Sequence, residues 1–196
     1  YWATLPEGEI DWTKVKFFWG DERCVPPTDE ESNYRMTREH LFDSAPVPKE
    51  NIFRIHGESD VEAEAVRYGA LLGRELDSIS GIPVFDIMML GMGDDGHTAS
   101  IFPHEMLLWD SEKNCVAATH PVSGQKRVSV TGKIINASRY VVFLVTGENK
   151  AEKVKEIFEH PGEARKKYPA ARDRAHATHR QGRRGTAPDL GRHAVS

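Results

Sequence analysis

Residues 84–97 read VFDIMMLGMGDDGH, and this stretch decides the fold class. Residues 84–90 form a near-continuous apolar run, which is typical of a β-strand covered on both faces in a parallel sheet. The run ends in a loop with three glycines and two aspartates before His97, a composition that breaks helices and strands. The stretch therefore predicts a buried strand that carries a glycine-rich loop to the carboxyl edge of a sheet, where α/β proteins bind ligands.

Strand-like and helix-like segments alternate along the rest of the chain. Residues 14–20 and 140–146 are further apolar strand candidates. Residues 60–79 carry apolar side chains at spacings of three and four, as one face of a helix does, and Asp60 is suited to cap its start. This alternation predicts an α/β domain with a mostly parallel sheet.

Composition excludes several classes of protein. The 196 residues suit one domain, or a domain with a tail, and a net charge of -4 does not suggest nucleic-acid binding. The sequence has no run of about 18 apolar residues, so it predicts no membrane span. Two distant cysteines, Cys24 and Cys115, make neither a disulfide framework nor a zinc site. We therefore predict reduced thiols in a cytoplasmic protein.

The sequence changes character near its end. Residues 172–196 are rich in arginine and histidine, have no hydrophobic periodicity, and contain Leu190 and Val195 as their only large hydrophobic residues. This composition predicts a disordered basic tail, and the absence of interleaved aromatic residues argues against nucleic-acid binding. Residues 1–171 are then the α/β domain.

The loop within residues 90–103, LGMGDDGHTASIFP, carries the strongest functional signal. Gly91 and Gly93 permit a tight turn and a close approach of a ligand to the backbone, where N–H groups can hold an anion. Thr98 and Ser100 add hydroxyl groups. These four residues are candidate substrate-binding positions.

His97 is the candidate catalytic residue of this loop. Asp95 lies two residues earlier, and a carboxylate at that spacing can fix the tautomer of an imidazole. The pair would make a general base that works near neutral pH. The alternatives are an incidental loop histidine and an aspartate that only caps the turn.

Other polar side chains follow the remaining strand candidates. Asp21 and Arg23 end the segment FFWGDER at residues 17–23, and Asn33 follows in SNY. Lys150 lies where a strand candidate opens into a helix, and Arg127 precedes another strand candidate. Arginine can form two parallel hydrogen bonds to a phosphate or carboxylate, although each of these residues alone is common on a solvated surface.

Three segments together resemble the 6-phosphogluconolactonase family of the glucosamine-6-phosphate isomerase/deaminase and lactonase superfamily: FFWGDER with SNY, LGMGDDGHTASIFP, and VVFLVTGENKA. Their order and spacing agree with the family from about residue 11 to residue 172. The resemblance implies a Rossmann-like three-layer α/β/α sandwich. It implies hydrolysis of 6-phospho-D-glucono-1,5-lactone to 6-phosphogluconate, the second step of the pentose phosphate pathway, without metal or organic cofactor. The expected partner is this small-molecule lactone, and the expected state is a monomer or weak homo-oligomer.

The resemblance also implies residue roles. His97 would activate the water that attacks the lactone carbonyl, and Asp95 would orient His97. Arg23 and Asp21 would form an active-site pair in which Arg23 stabilises developing negative charge. The implied substrate-binding residues are the phosphate-binding cations Lys150 and Arg127, the supporting Asn33, and the loop residues Gly91, Gly93, Thr98 and Ser100.

A departure from the family and the existence of a related branch leave two alternatives open. Residue 1 is tyrosine, and no Gly-Gly-Ser-Thr-Pro-like phosphate loop precedes the first motif, so we interpret the chain as truncated at its N-terminus. A catalytically impaired sugar-phosphate-binding remnant is therefore one alternative. A glucosamine-6-phosphate deaminase or isomerase is the other, but that branch carries Phe-Asn-Glu-Pro where residues 100–103 here lack an acid.

Overall fold

The structure is a computed structural model that describes residue 5 and residues 8–173. Helices and strands alternate, which confirms the α/β class. From residue 174 onward the predicted tail lies outside the described residues, as do residues 1–4 and 6–7. The strands are β1 (Phe17–Phe18), β2 (Asp21–Arg23), β3 (Ile52–Phe53), β4 (Ser78–Ile79), β5 (Ile82–Pro83), β6 (Ile87–Leu90), β7 (Cys115–Thr119), β8 (Lys126–Val130) and β9 (Tyr140–Phe143). The α-helices are α1 (Asn33–Thr37), α2 (Val61–Glu75), α3 (Gly132–Ala137), α4 (Ala151–Glu159) and α5 (Pro161–Lys167).

Short turns of other helical types connect these elements. A π-helical turn, Arg38–Phe42, extends α1. The 3₁₀ turns are Trp12–Lys14, Lys49–Asn51, Pro103–Leu108, Glu148–Lys150 and Pro169–Arg172. Of the predicted site residues, Lys150 lies in one of these turns, Glu148–Lys150.

The prediction of a mostly parallel sheet is confirmed only in part. Within residues 8–173, parallel pairing is confined to two two-stranded sheets, β1 with β3 and β6 with β9. The three-stranded sheet is antiparallel, in the order β2-β8-β7. Only six residues join β7 to β8, a length that permits an antiparallel hairpin but not a parallel crossover.

Helix α2 packs its apolar face into the hydrophobic core. Asp60 caps the helix, because its carboxylate accepts a hydrogen bond from the backbone N–H of Ala63 at 3.0 Å. Tyr68 is fully buried, and its hydroxyl accepts from the backbone N–H of Trp19 at 2.8 Å. This bond ties α2 to the segment that follows β1, just before the strand that carries Arg23.

The predicted helix over residues 60–79 is too long. Helix α2 ends at Glu75, and β4 and β5 form a hairpin around Ser80 and Gly81. Both turn residues have positive φ, 52° and 78°, as a two-residue hairpin turn of type I′ requires. The chain therefore reverses where the sequence pattern continued a helix.

The prediction that β6 is covered on both faces is also wrong. Ile87 is 63% exposed and Met89 is 48% exposed, whereas Met88 and Leu90 are buried. Burial thus alternates along the strand, because the described elements cover only one face of β6 and β9. The second face presents apolar side chains to the solvent.

Candidate active site

The loop after β6 places the His97 imidazole directly over the backbone of Gly93. A β-carbon at position 93 would overlap Cε1 and Nδ1 of the imidazole ring. The Gly93 N–H donates to the carbonyl of His97 at 2.9 Å, and the Gly96 N–H donates to the carbonyl of Gly93 at 3.0 Å. These N–H groups therefore close the loop on itself, unlike the anion-binding N–H groups that the glycine pattern predicted.

His97 and Asp95 form the predicted pair. Nδ1 of His97 lies 2.7 Å from Oδ1 of Asp95, and the backbone N–H of His97 donates to the same oxygen at 3.0 Å. Burial raises the pKa of Asp95, but the hydrogen bonds from His97 outweigh that effect and hold the pKa below its usual value. Asp95 is therefore ionised near neutral pH, and its carboxylate favours the tautomer with the proton on Nδ1. Nε2 of His97 is then left as the basic nitrogen.

One face of the β2–β8 pair carries four polar residues of the site. In the register of these strands Asp21 lies opposite Ser129, and Arg23 lies opposite Arg127. Side chains two residues apart on a strand point to the same side, so all four share a face. The sequence predicted Asp21, Arg23 and Arg127 as loop or strand-end residues, whereas the structure places them within paired strands.

The pair Asp21 and Ser129 holds the loop that follows His97. The hydroxyl of Ser100 donates to Oδ2 of Asp21 at 2.6 Å, and its backbone N–H donates to the hydroxyl of Ser129 at 3.0 Å. The hydroxyl of Thr98 donates to the carbonyl of Gly91 at 2.9 Å. Thr98 and Ser100 are fully buried. Their hydroxyls therefore fasten the loop, and this burial speaks against the direct substrate contact expected of them.

Arg23 and Arg127 place two positive charges side by side. Burial and the nearby charge of Arg23 lower the pKa of Arg127. Nε of each arginine is buried and has no hydrogen-bond partner within the described residues. Like charges placed opposite each other across two strands repel. An anion bound between the two guanidinium groups would relieve this repulsion.

Phe102 joins the arginine pair to the histidine. This fully buried ring lies 4.6 Å from the His97 ring, measured between centroids, and the guanidinium carbon of Arg127 lies 5.5 Å from its centroid. The base and one cation therefore contact the same side chain. Sequence reasoning did not single out Phe102, although its place in the motif SIFP was the available signal.

Asn33 and Glu22 stabilise the strand that carries Arg23. The side-chain amide of Asn33 donates to the backbone carbonyl of Asp21 at 3.0 Å. Glu22 is buried, and its two oxygens accept hydrogen bonds from the N–H groups of Arg23, Asn33 and Tyr34 and from the hydroxyl of Ser32. The Asn33 amide is thus bound to the strand, and its substrate contact stays a prediction. Glu22 was missed because a charged residue in GDER is typical of a surface.

Lys150 lies beside the glycine loop. Its ammonium nitrogen is 4.0 Å from Oδ1 of Asp94, and the neighbouring Asn149 amide donates to the same oxygen at 2.8 Å. Asp94 precedes the Asp95 that holds His97. Lys150 is therefore attached to the histidine loop, while Arg23 and Arg127 belong to the strand pair.

Other features of the described chain do not converge on His97. A cavity of about 570 Å³ beside α1 and α2 is lined by residues that include Arg54 and Arg67, and none of the predicted site residues lines it. Arg54 and Arg67 already pair with Glu58 and Glu64. Across residues 8–173, no three histidine, cysteine or carboxylate side chains form a group that could hold a metal ion.

Comparison with known proteins identifies the family. Residues 2–181 match the family of glucosamine-6-phosphate isomerases/6-phosphogluconolactonase. The chain belongs to this family. A 6-phosphogluconolactonase from Treponema pallidum is 45% identical over 160 residues, which cover 82% of this chain and 66% of that relative. The chain thus spans about two thirds of that protein's length.

Solved structures of the family support the fold. A protein named devB has a TM-score of 0.81 and 43% identity to this chain, and the match covers 86% of this chain and 71% of that one. The 6-phosphogluconolactonase of Thermotoga maritima has a TM-score of 0.72 and 29% identity, with coverage of 86% and 75%. No helix in the described part of this family member has the length and hydropathy needed to cross a membrane.

Proposed function

We propose that the chain hydrolyses 6-phospho-D-glucono-1,5-lactone to 6-phosphogluconate, the second step of the pentose phosphate pathway. The names of its relatives support this reaction. The observation that carries the proposal is the hydrogen bond of 2.7 Å between Nδ1 of His97 and Asp95, in a loop that shares Phe102 with Arg127. A base, its orienting acid and a cation are thus held together by one buried ring.

In the proposed reaction His97 acts first as a base and then as an acid. Nε2 takes a proton from a water molecule, whose oxygen attacks the lactone carbonyl carbon. Arg23 stabilises the negative charge that develops on the carbonyl oxygen. When the bond between that carbon and the ring oxygen breaks, the proton on Nε2 passes to the leaving oxygen. The product is the open-chain acid, and Asp95 stabilises the imidazolium in between.

The remaining cations are assigned to the phosphate. These are Lys150, which lies beside Asp94 of the glycine loop, and Arg127, which lies opposite Arg23 in the β2–β8 pair. In this arrangement Asp21, Asn33, Thr98 and Ser100 position the catalytic groups. Gly93 makes room for the His97 ring, and Gly91, with nothing within 4 Å of the β-carbon position, lets the ligand approach the loop.

The proposal also covers the fold of the chain and the compartment in which it acts. We assign the described elements to a Rossmann-like three-layer α/β/α sandwich, which the two structural matches support. Cys24 and Cys115 are both free thiols, as is usual in a reducing compartment, so we place the reaction in the cytoplasm.

The test compares lactone hydrolysis by the wild type and by His97→Ala with the spontaneous rate. A general base typically raises the rate about 10²- to 10⁴-fold, so we expect the rate of lactone hydrolysis by His97→Ala to fall by that factor. The control is His40→Ala, which removes an exposed histidine of the π-helical turn and should keep full activity. Equal rates for wild type and His97→Ala would reject the assignment of the base.

Two further outcomes decide between the proposal and its alternatives. Thermal stabilisation of the wild type by 6-phosphogluconate without any turnover would identify a binding remnant. Release of ammonia from glucosamine 6-phosphate would identify a deaminase.

A further inference from the structure

Gln125 lies beside the arginine pair, at the end of the turn that leads into β8. Its side-chain oxygen accepts a hydrogen bond from Nη2 of Arg127 at 3.2 Å, and its amide nitrogen donates to Oε2 of Glu31 at 2.8 Å. The backbone carbonyl of Glu31 accepts a hydrogen bond from Nη1 of Arg23 at 2.7 Å. Gln125 and Glu31 therefore form a polar bridge from one guanidinium group to the other.

We propose that Gln125 is a positioning residue that fixes the distance between the Arg127 and Arg23 guanidinium groups for the substrate anion. The inference rests on the proposed function, since it concerns the anion site of that reaction. Gln125 lies outside the three segments that resemble the family.

A side-chain amide suits the chemistry of the bridge. Gln125 accepts a hydrogen bond from a cation and donates one to a carboxylate, and an amide does both while staying neutral. A carboxylate at this position would repel Glu31 and neutralise Arg127, and an ammonium group would repel Arg127. A neutral partner leaves the charge of Arg127 available to the substrate.

The bridge does not engage every nitrogen of the two guanidinium groups. Nε of Arg23 and Nε of Arg127 are buried and unpaired within residues 8–173, although Gln125 and Glu31 engage other nitrogens of the same groups. The bridge thus fixes one Nη nitrogen of each guanidinium group and leaves both Nε–H groups without a partner in the described residues. Losing it should weaken substrate binding more than it slows the bond-breaking steps at His97.

The experiment measures kcat and KM for the wild type, Gln125→Ala and Gln125→Glu. We expect KM to rise about five- to tenfold in Gln125→Ala and further in Gln125→Glu, with kcat within about twofold of the wild type. The dissociation constant of 6-phosphogluconate, measured by calorimetry, should rise in the same order. The control is Ser123→Ala, which loosens the same turn by removing hydrogen bonds of Ser123 to His120 and Gln125 but keeps the amide bridge.

A residue that only stabilised the turn would give a different pattern. Three results would each overturn the inference. These are an equal rise of KM in Gln125→Ala and Gln125→Glu, a rise of KM in Ser123→Ala as large as in Gln125→Ala, and a KM unchanged by either substitution at position 125. If the wild type shows no turnover, the proposed reaction fails, but the order of 6-phosphogluconate affinities still decides the role of Gln125. If the wild type neither turns over the lactone nor binds 6-phosphogluconate, both proposals fail.

Discussion

The backbone of Gly93 lies so close to the His97 imidazole that no side chain fits between them. A β-carbon there would overlap Cε1 and Nδ1, so Gly93→Ala must push the ring away or shift the loop. A displacement of about 1 Å costs on the order of a hundredfold in rate when it moves a catalytic group. We therefore expect lactone hydrolysis by Gly93→Ala to fall by about a hundredfold, measured against the spontaneous rate.

The matched control for this change is Gly73→Ala in α2. A β-carbon at position 73 would meet nothing within 4 Å, and alanine favours helix over glycine by about 0.5–1 kcal/mol. Gly73→Ala should keep full activity and unfold at a slightly higher temperature. A Gly93→Ala protein with wild-type turnover would contradict the position assigned to the ring.

At the scale of single residues, the sequence could predict what lies within one loop but not what distant segments bring together. Asp95 and His97 are two residues apart, so a turn is enough to join them, and their hydrogen bond was expected. Phe102 acquires its role from Arg127, and Gln125 acquires its role from Glu31, which lies 94 residues away in the sequence. A local sequence pattern does not report which distant segments meet.

At the scale of elements, a buried carboxylate joins β2 to α1. Glu22 accepts four hydrogen bonds, two at each oxygen, and three of them come from the first turn of α1 and its cap. In Glu22→Gln an amide nitrogen replaces one oxygen and faces two donors. An unsatisfied buried donor costs about 1–3 kcal/mol, so we expect the free energy of unfolding to fall by that amount. Chemical denaturation measures the change.

The control for Glu22→Gln is the same substitution at Glu50, which is exposed in the turn before β3. Surface substitutions of this kind usually change stability by no more than about 0.5 kcal/mol. If Glu22→Gln and Glu50→Gln destabilise the protein equally, Glu22 does not hold the two elements together. Because the side chain of Arg23 leaves the same strand, we also expect Glu22→Gln to weaken binding of 6-phosphogluconate.

The two ends of α2 differ in how well the sequence predicted them. The start of α2 was predicted because a cap such as Asp60 acts locally, through a hydrogen bond to the backbone three residues on. Its end was missed because Leu76 and Ile79 continue the helical spacing, whereas the positive φ of Ser80 turns the chain into a hairpin. Pairing of β2 with β8 depends on contacts across about a hundred residues of sequence, which local patterns do not report.

At the scale of the whole molecule, one sheet face remains apolar and exposed. Ile87 pairs with Tyr140 and Met89 with Val142, and these four side chains are 41–69% exposed on the outer face of β6 and β9. No element among residues 8–173 covers them. Contiguous apolar surface of this kind promotes association between molecules.

We therefore expect this chain to self-associate at concentrations of tens of micromolar, and we expect Met89→Thr combined with Val142→Thr to reduce that association. Threonine keeps a high strand propensity, and both positions are exposed, so the free energy of unfolding should change by less than about 1 kcal/mol. Sedimentation velocity at several concentrations measures the association. The control is Val66→Thr, which makes a similar change at a 64% exposed position on α2. If Val66→Thr reduces association as much as the double variant, or if the wild type stays monomeric throughout, the sheet face does not drive self-association.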